Sequence, residues 1–578
     1  MSNIEQKRHS LAHLLAAAVL NIYPDAKPTL GPAVDNGFYY DFEFSSTVTD
    51  KDLPKIEKKM RELLKSWKNF ERKDLSADEA KKIFAENKYK LELIDEIITK
   101  KEPITAYTSG DFSDLCRGGH VENAKEIDPD SFKLERVAGA YWRGDEKNKM
   151  LTRIYGLAFD TKVELDTYVL QQEEARKRDH KKLGKELGLF VFSELVGPGL
   201  PIYTFKGAVL RKEIINFSNE LQNEIGYQEV HTPNINKAEL FKVSGHYDKY
   251  KEDMFKVISN YTEEEYYLKP MNCPQHTQIY ASEIRSYRDL PIRIADFANL
   301  HRDERPGQLS GLTRLRSFCQ DDGHAFCRED QIENEFNSVL KAINKALTVY
   351  KMSYKVRLSL WDPEHQEKYL GEPEVWEKAQ KMLENILVNN KIEYFIGIGE
   401  AAFYGPKMDI ITTDSLGREW QISTIQLDFQ MPKRFKLKYT DSDGKEKTPI
   451  MIHRALTGSP ERFMGILIEH YAGNFPLWLS PIQIKIIPVR ENHNEYALSI
   501  AEQFKQAGFR VELDTESSGM GKQVREAKLM KIPYMLIVGD KEKEAGTGTL
   551  ESRDSGNLGA MKIDDIITKI AEEIKNKK

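Results

Sequence analysis

The chain has 578 residues, 40% of them hydrophobic and 30% charged, with a formal net charge of -6. That length predicts about four domains with well-filled cores, and the charge excludes a globally basic nucleic-acid binder, so any RNA contact has to come from local basic faces. Four unevenly placed cysteines argue against a disulfide framework and fit a reduced, cytoplasmic protein, and no run approaches the roughly 18 apolar residues of a membrane span.

Near the N-terminus, Lys7 and Arg8 precede an apolar run over 11–20 that imitates a secretory leader. His9 and His13 interrupt it, and no small-residue cleavage site follows. The two histidines stand at i, i+4, so on a helix both imidazoles share one face. Strands are predicted over 37–44 and 151–159, closing a first domain at 1–162. Within it Cys116 and His120 form a CxxxH pair, and one thiol with three imidazoles would by ligand chemistry alone make a good zinc site. Residues 163–187 are expected to form one long charged helix, a linker whose basic cluster at 176–185 (RKRDHKKLGK) suits either a solvated face or an RNA contact.

The segment 188–480 alternates apolar strands with long helices. Its densest part is 299–326, NLHRDERPGQLSGLTRLRSFCQDDGHAF. Pro306, Gly307 and Gly311 between Arg302 and Arg314 predict strand, turn and returning strand, a hairpin that aims both guanidiniums at one face. Arginine's planar fork suits phosphate and carboxylate oxygens, although a hairpin with solvated charges would have the same spacing. From 481 to 578 the pattern is IQIKIIPV, helix, FRVELD, helix, YMLIVGD, and strands separated by helices predict a parallel sheet.

HRDE with the return strand and Phe318 resembles the second signature motif of class II aminoacyl-tRNA synthetases, and QDDGH extends the resemblance to the threonyl-tRNA synthetase family. MNCPQH (271–276), QDDGHAFC (320–327), FYGPKMD (403–409) and HRALTGSPERF (453–463) follow in the family's order, and the resemblance spans essentially the whole chain. It implies a multidomain α+β and α/β protein: an α+β editing domain at 1–162, the helical linker, a class II antiparallel sheet core with helices at 188–480, and an α/β anticodon-binding domain at 481–578. The family's small domain ahead of the editing domain is missing from the sequence, which is taken as a short form or a truncation.

The implied activity is ATP-dependent ligation of L-threonine to tRNA(Thr) through an adenylate, with hydrolytic editing of seryl-tRNA(Thr). By the same resemblance, Cys273, His324 and His453 hold one Zn2+ per subunit, and Mg2+ accompanies ATP; blind spacing would not join these three residues. Arg302 is assigned the α-phosphate and substrate carboxylate, Arg314 and Arg462 the outer phosphates, Phe318 the adenine face and Glu304 the base. Asp322 is placed on the amino group, with Tyr404, Lys407 and Gln421 near the amino acid, and His246 as either base or ribose ligand in transfer. His9, His13, Lys90, Asp114, Cys116 and His120 resemble a metal-free editing pocket, although related alanyl domains hold zinc there. Gly119 stands where proline is usual, which suggests a more flexible approach to His120. Arg525 and Glu542 match anticodon contacts, whereas Glu551 replaces a usual arginine, with Arg553 two residues on facing the same side. HTPNI at 231–235, taken as a helix start, resembles the first motif and implies a symmetric homodimer.

Two other functions compete. One is a synthetase-like RNA-binding or regulatory protein without ligase activity, the other a zinc hydrolase with accessory domains. Retention of the three zinc ligands with Arg302, Arg314 and Arg462 favours the ligase over both.

Overall fold

The computed structural model describes residues 2–515 and 519–578. The chain divides into two compact units, Met1–Glu173 and Glu174–Lys578.

In the first unit, helix Asn3–Ile22 begins at Ser2, whose hydroxyl accepts the Glu5 N–H while the Glu5 carboxylate accepts the Ser2 N–H, a reciprocal cap. All residues from Ser10 to Val19 are buried, so the run that imitates a leader is core. Leu11, Leu14 and Leu15 join Phe38, Phe42 and Phe132 in that core. The helix packs on an antiparallel sheet whose strands run in the order Lys27–Pro28, Gly37–Glu43, Met150–Ala158, Phe132–Tyr141. A second sheet joins Glu71–Leu75, Ile104–Ser109 and Phe112–Leu115, and delivers Cys116 just beyond its last strand.

The single helix expected over 163–187 is instead two, Lys162–Arg178 and His180–Glu186. Asp179 causes the break: its carboxylate accepts the N–H groups of Lys181 at 2.7 Å and Lys182 at 3.2 Å, a cap that restarts the helix.

The second unit is built on an eight-stranded sheet in the order Gln228–Glu229, Ile292–Asp296, Asp322–Cys327, Ile450–Ala455, Glu419–Asp428, Lys407–Thr413, Ser353–Leu360, Tyr394–Ile398. Only the outermost pair at each edge is parallel. Register sets two adjacent rows on one face. Lys407 lies opposite Gln426, Gln426 opposite His453, and His453 opposite His324. In the next row Arg357, Asp409, Thr424, Ala455 and Asp322 follow one another across the sheet. Side chains directly opposite in antiparallel pairs point the same way, so residues far apart in sequence converge.

Residues 231–234 do not start a helix. They connect Gln228–Glu229 to strand Ile235–Lys237, and the first helix after them is Ala238–Ser244. Pro233 biases Thr232 toward extended backbone, and the Thr232 hydroxyl and N–H are bound by Asp296 at 2.6 and 3.1 Å.

The C-terminal sheet runs Val511–Leu513, Ile484–Pro488, Tyr534–Val538, Thr547–Ser552, Gly556–Lys562. The first three strands are parallel, as expected, and the last two are antiparallel additions.

Asp321, next to the His324 strand, is buried and holds the turn that follows Ala455. Its carboxylate accepts the N–H groups of Leu456 (3.1 Å), Thr457 (2.7 Å) and Gly458 (3.0 Å), and the Ser218 hydroxyl (2.9 Å). Asp321→Ala would strand those donors and should destabilise the second unit by about 3 to 5 kcal/mol, seen as a lower midpoint of chemical unfolding. Asp321→Asn, which keeps an acceptor oxygen, should lose less; equal midpoints for both variants and the parent would refute this.

Candidate functional site

A cavity of about 510 Å³ opens beside the two rows, lined by Arg302, Arg314, Phe318, Gln421 and Arg462 among others. The expected hairpin is present but short: strands Asn299–His301 and Ser317–Cys319 pair, and both arginines stand in the loop between them. That loop is closed by the Arg302 N–H donating to the Arg316 carbonyl at 2.9 Å. Both guanidiniums do reach one cavity.

Their partners differ. Arg302 is half-buried over the Phe318 ring, 5.2 Å from its centroid, and among the described residues its guanidinium has no hydrogen-bond acceptor. Arg462 lies in the first turn of helix Pro460–His470, 5.8 Å above the Trp420 ring, with its buried Nε unpartnered. Burial pushes both guanidinium pKa values down. A cation at a helix N-terminus is unfavourable unless an anion joins it. Arg314, by contrast, donates to Glu304 at 2.8 Å, so Glu304 acts here on an arginine.

Behind the cavity, ligand atoms of Cys273, His324 and His453 lie within 4.8 Å of one another, and all three residues are buried. Cys273 opens helix Cys273–Ala281, while the histidines are cross-strand neighbours. His324 Nε2 faces His453 Nδ1 at 3.0 Å. Their other ring nitrogens are occupied: His324 Nδ1 lies 2.7 Å from His276 Nδ1, and His453 Nε2 lies 2.9 Å from Asp428 Oδ2. Outer partners of this kind orient metal-binding imidazoles, and a sulfur with two nitrogens is a donor set that suits zinc. Burial pushes the Cys273 thiol well up and the His324 imidazole well down. Asp322 lies 3.7 Å from His324 Nε2, its carboxyl pushed up to about 6 by burial. Tyr404 stacks on His453 at 4.5 Å and donates to Gln426 Oε1 at 2.5 Å.

Sequence reasoning missed His276 and Asp428. His276 was visible, since it ends MNCPQH one helical turn from Cys273 and shares its face. Asp428 becomes recognisable only through register.

A second missed hub is Asp409, which is fully buried. It accepts from Lys407 (2.7 Å), Arg357 (2.9 Å), Ser359 (2.7 Å), Gln421 (2.8 Å) and Thr424 (2.9 Å). Lys407 and Gln421 are thus brought together as expected, but through a carboxylate that holds them. His246 is fully buried, with Nδ1 2.8 Å from Ser244 Oγ and Nε2 3.0 Å from Met271 Sδ. It packs 3.7 Å from Cys273 Sγ, and burial lowers its pKa to about 3.

In the first unit a cavity of about 410 Å³ is lined by His9, His13, Tyr40, Lys90, Asp114 and Cys116. Cys116 Sγ lies 3.3 Å from His120 Nε2 and 3.5 Å from His9 Nε2, and the four ligand atoms including His13 lie within 4.8 Å. Lys90 and Asp114 form a buried ion pair at 2.5 Å, with Tyr40 donating to Asp114 and accepting from Lys90. Burial lowers the His120 pKa to about 2, further depressed by His13 and His9, and raises the Cys116 thiol to about 11. Gly118 and Gly119 take φ values of 97° and 91°, which brings the Gly118 N–H 3.2 Å from Cys116 Sγ. Proline is confined near -65°, so Gly119 marks a defined turn that proline could not adopt.

At the C-terminal end Arg525 is exposed on helix Met520–Leu529. Glu542 is already engaged, accepting from the Gly539 N–H at 3.0 Å and Thr549 Oγ1 at 2.8 Å. Glu551 pairs with Lys528 at 3.0 Å. Arg553 does not face outward beside Glu551: it lies past the strand, bound to Asp554 and, at 3.0 Å, to the Lys531 carbonyl.

Three family models match the chain: the tRNA synthetase class II core domain (G, H, P, S and T) over 255–471, an anticodon binding domain over 483–573, and the threonyl and alanyl tRNA synthetase second additional domain over 104–155. The chain is 48% identical over 587 residues to the threonine–tRNA ligase of Deinococcus radiodurans, covering 99% of this chain and 89% of that protein. It is 49% identical over 551 residues to the threonine–tRNA ligase of Rubrobacter xylanophilus, covering 95% and 85%. A crystal structure of the RNA binding domain of threonyl-tRNA synthetase from Cryptosporidium parvum Iowa II matches with a TM-score of 0.66 at 38% identity, covering 68% of this chain and 98% of that one.

Cys116 is half-exposed and the other three cysteines are buried, so alkylation of the folded chain reports on Cys116. With its thiol raised to about 11, the rate should climb about tenfold per pH unit from pH 7 to 9.5 without levelling. A plateau near pH 8.5 would contradict the raised thiol pKa.

Proposed function

The chain belongs to the threonine–tRNA ligases, class II aminoacyl-tRNA synthetases, and from that premise we propose how its residues divide the work. ATP fills the cavity of about 510 Å³. Two half-buried guanidiniums without acceptors among the described residues, Arg302 and Arg462, support this most directly, because such cations are costly unless an anion joins them. Arg302 takes the α-phosphate and the amino-acid carboxylate, Arg462 and Arg314 the outer phosphates with Mg2+, and Phe318 the adenine. Glu304 parks Arg314 until the phosphates or the base arrive.

Cys273, His324 and His453 hold zinc, with Asp428 and His276 fixing the two rings. Bound there, zinc would offer open positions to the amino group and hydroxyl of threonine, a polar requirement that valine cannot meet. Asp322 holds the amino group, and Tyr404 walls the side chain. A carboxylate oxygen of threonine then attacks the α-phosphorus, and the bond to pyrophosphate breaks as the arginines neutralise the developing charge. In transfer, a ribose hydroxyl of tRNA(Thr) attacks the adenylate carbonyl and AMP leaves. No protein nucleophile is required.

Serine keeps the hydroxyl, and one missing methyl is worth only about 1 to 3 kcal/mol, so a second selection is needed. The pocket of the first unit supplies it by hydrolysing seryl-tRNA(Thr). Its imidazoles, kept neutral by burial, orient the attacking water through hydrogen bonds from His9, His13 and His120, while Lys90 presents a donor to the ester. The four converging ligand atoms favour a second reading, a zinc hydrolase site. The enzyme is a symmetric homodimer: Phe192, Leu195, Val196 and Phe205 expose an apolar strip, Leu195 at 100% and Phe205 at 95%, that a second copy would cover.

Pyrophosphate exchange should proceed with threonine, fall about 10- to 200-fold with serine, and be absent with valine. Cys273→Ser should lose both the bound zinc and the exchange. Arg302→Lys should recover little of the activity lost in Arg302→Ala, because an ammonium cannot make the paired bonds; near-normal exchange in either would overturn the Arg302 assignment.

The full chain should deacylate preformed seryl-tRNA(Thr), and His13→Ala or Cys116→Ala should lose that activity while keeping exchange. Hydrolysis that survives a chelator supports the metal-free pocket. Chelator-sensitive hydrolysis with exchange intact would replace it by the zinc reading, and no hydrolysis at all would remove the editing assignment.

A further inference from the structure

Helix His180–Glu186 contributes one side chain that none of the steps above uses. His180 is buried, and both its ring nitrogens are engaged. Nδ1 lies 2.6 Å from Glu469 Oε1, which also accepts the His180 backbone N–H at 3.0 Å. Nε2 accepts the backbone N–H of Leu312 at 3.0 Å. A backbone amide can only donate, so Nε2 carries the lone pair and the ring proton sits on Nδ1, against the carboxylate. Arg418 holds the other oxygen of Glu469, which fixes this tautomer from behind.

The two partners belong to the two elements that bring arginines to the cavity. Leu312 lies in the 302–316 loop just before Arg314, and Glu469 lies about two turns beyond Arg462 on helix Pro460–His470. The packing leaves no slack. Gly311 has φ 47°, and a Cβ there would stand 2.0 Å from His180 Nε2; a Cβ on Gly465 of the helix would stand 3.6 Å from His180 Cδ2 and 3.3 Å from Leu312 Cβ.

We propose that His180 is a positioning residue for ATP: it ties the loop that carries Arg314 to the helix that carries Arg462, and so sets the spacing of the two guanidiniums. The inference rests on the assignment of those arginines to the outer phosphates. Leu312 is buried, and its N–H has no other acceptor among the described residues, so without Nε2 the loop must move to water and take Arg314 with it. Threonine, bound beyond the other side of the arginines, is untouched.

The test is ATP–pyrophosphate exchange by the full chain carrying His180→Leu, His180→Gln or His180→Asn, titrated separately in ATP and threonine, with melting temperatures alongside. A glutamine oxygen can replace Nε2 for Leu312 but offers no donor at the Nδ1 position. Asparagine does the reverse: its amide can donate to Glu469 and leaves Leu312 without an acceptor. His180→Leu is expected to raise the KM for ATP about tenfold with the KM for threonine unchanged. Gln should recover most of the ATP effect, and Asn should recover melting temperature but not KM. Equal rises in both KM values, or equal ATP effects for Gln and Asn, would overturn the proposal. If His180→Leu does not fold, the Gln and Asn ranking still decides it, as does Gly311→Ala, which should push the loop from Nε2 and raise the KM for ATP with His180 in place. Arg314→Ala and Arg462→Ala run in parallel separate the two assignments. If neither raises the KM for ATP, the phosphate reading fails and the positioning role with it. If both do and the His180 variants do not, only the role of His180 is lost.

Discussion

Strand register in the eight-stranded sheet is the constraint on which everything else depends. Pairing of Asp322–Cys327 with Ile450–Ala455, and of the latter with Glu419–Asp428, puts His324, His453 and Gln426 in one row and Asp322, Ala455 and Thr424 in the next. A slip of one residue would turn each of these side chains to the opposite face and scatter the metal set. Register is guarded by buried polar contacts that a slip would break. Asp321 binds the turn after Ala455 through three backbone N–H groups, and Asp409 ties Arg357 and Thr424 across the strands. Neighbouring aspartates in QDDGH therefore do different things: Asp321 holds the fold, and Asp322 faces the site.

Burial then sets the chemistry. In the sheet and in the N-terminal pocket alike, burial lowers the imidazole pKa values and raises those of the thiols, because a charged form loses the water that would solvate it. Arg302 and Arg462 cannot neutralise, and among the described residues no carboxylate hydrogen-bonds to either guanidinium. Under the proposed assignment these cations stand ready for an anionic substrate, at a local cost in stability that binding would relieve. Arg314 shows the alternative, since its charge is answered by Glu304.

The two units divide selection along a physical line. A site that demands a hydroxyl can refuse valine strongly, whereas a site sized for threonine refuses serine only weakly, because the difference is one methyl group. Hydrolysis in a separate pocket multiplies the two discriminations. Placing the pockets on different units lets each keep its own burial and its own protonation states, with the chain passing from one unit to the other at Glu173 and Glu174.

Local features were legible in the chain itself. HxxxH at His9 and His13 announced a shared helix face, and the IQIKIIPV, FRVELD and YMLIVGD runs announced parallel strands, because periodicity and turn residues act over a few positions. Motif strings such as QDDGH and SPERF also named Arg462, His324 and Asp322 through resemblance, without showing what each touches. Local signals misled where a nearby residue outweighed the pattern: Asp179 recapped the linker into two helices, and Thr232 with Pro233 held HTPNI extended. What only the tertiary structure decided were meetings between distant segments. His324 and His453 are separated by 129 positions, His180 and Leu312 by 132, and Arg553 turned to the Lys531 carbonyl instead of standing beside Glu551. Such contacts follow from register and close packing, which depend on the whole sheet at once, and no spacing along the sequence encodes them.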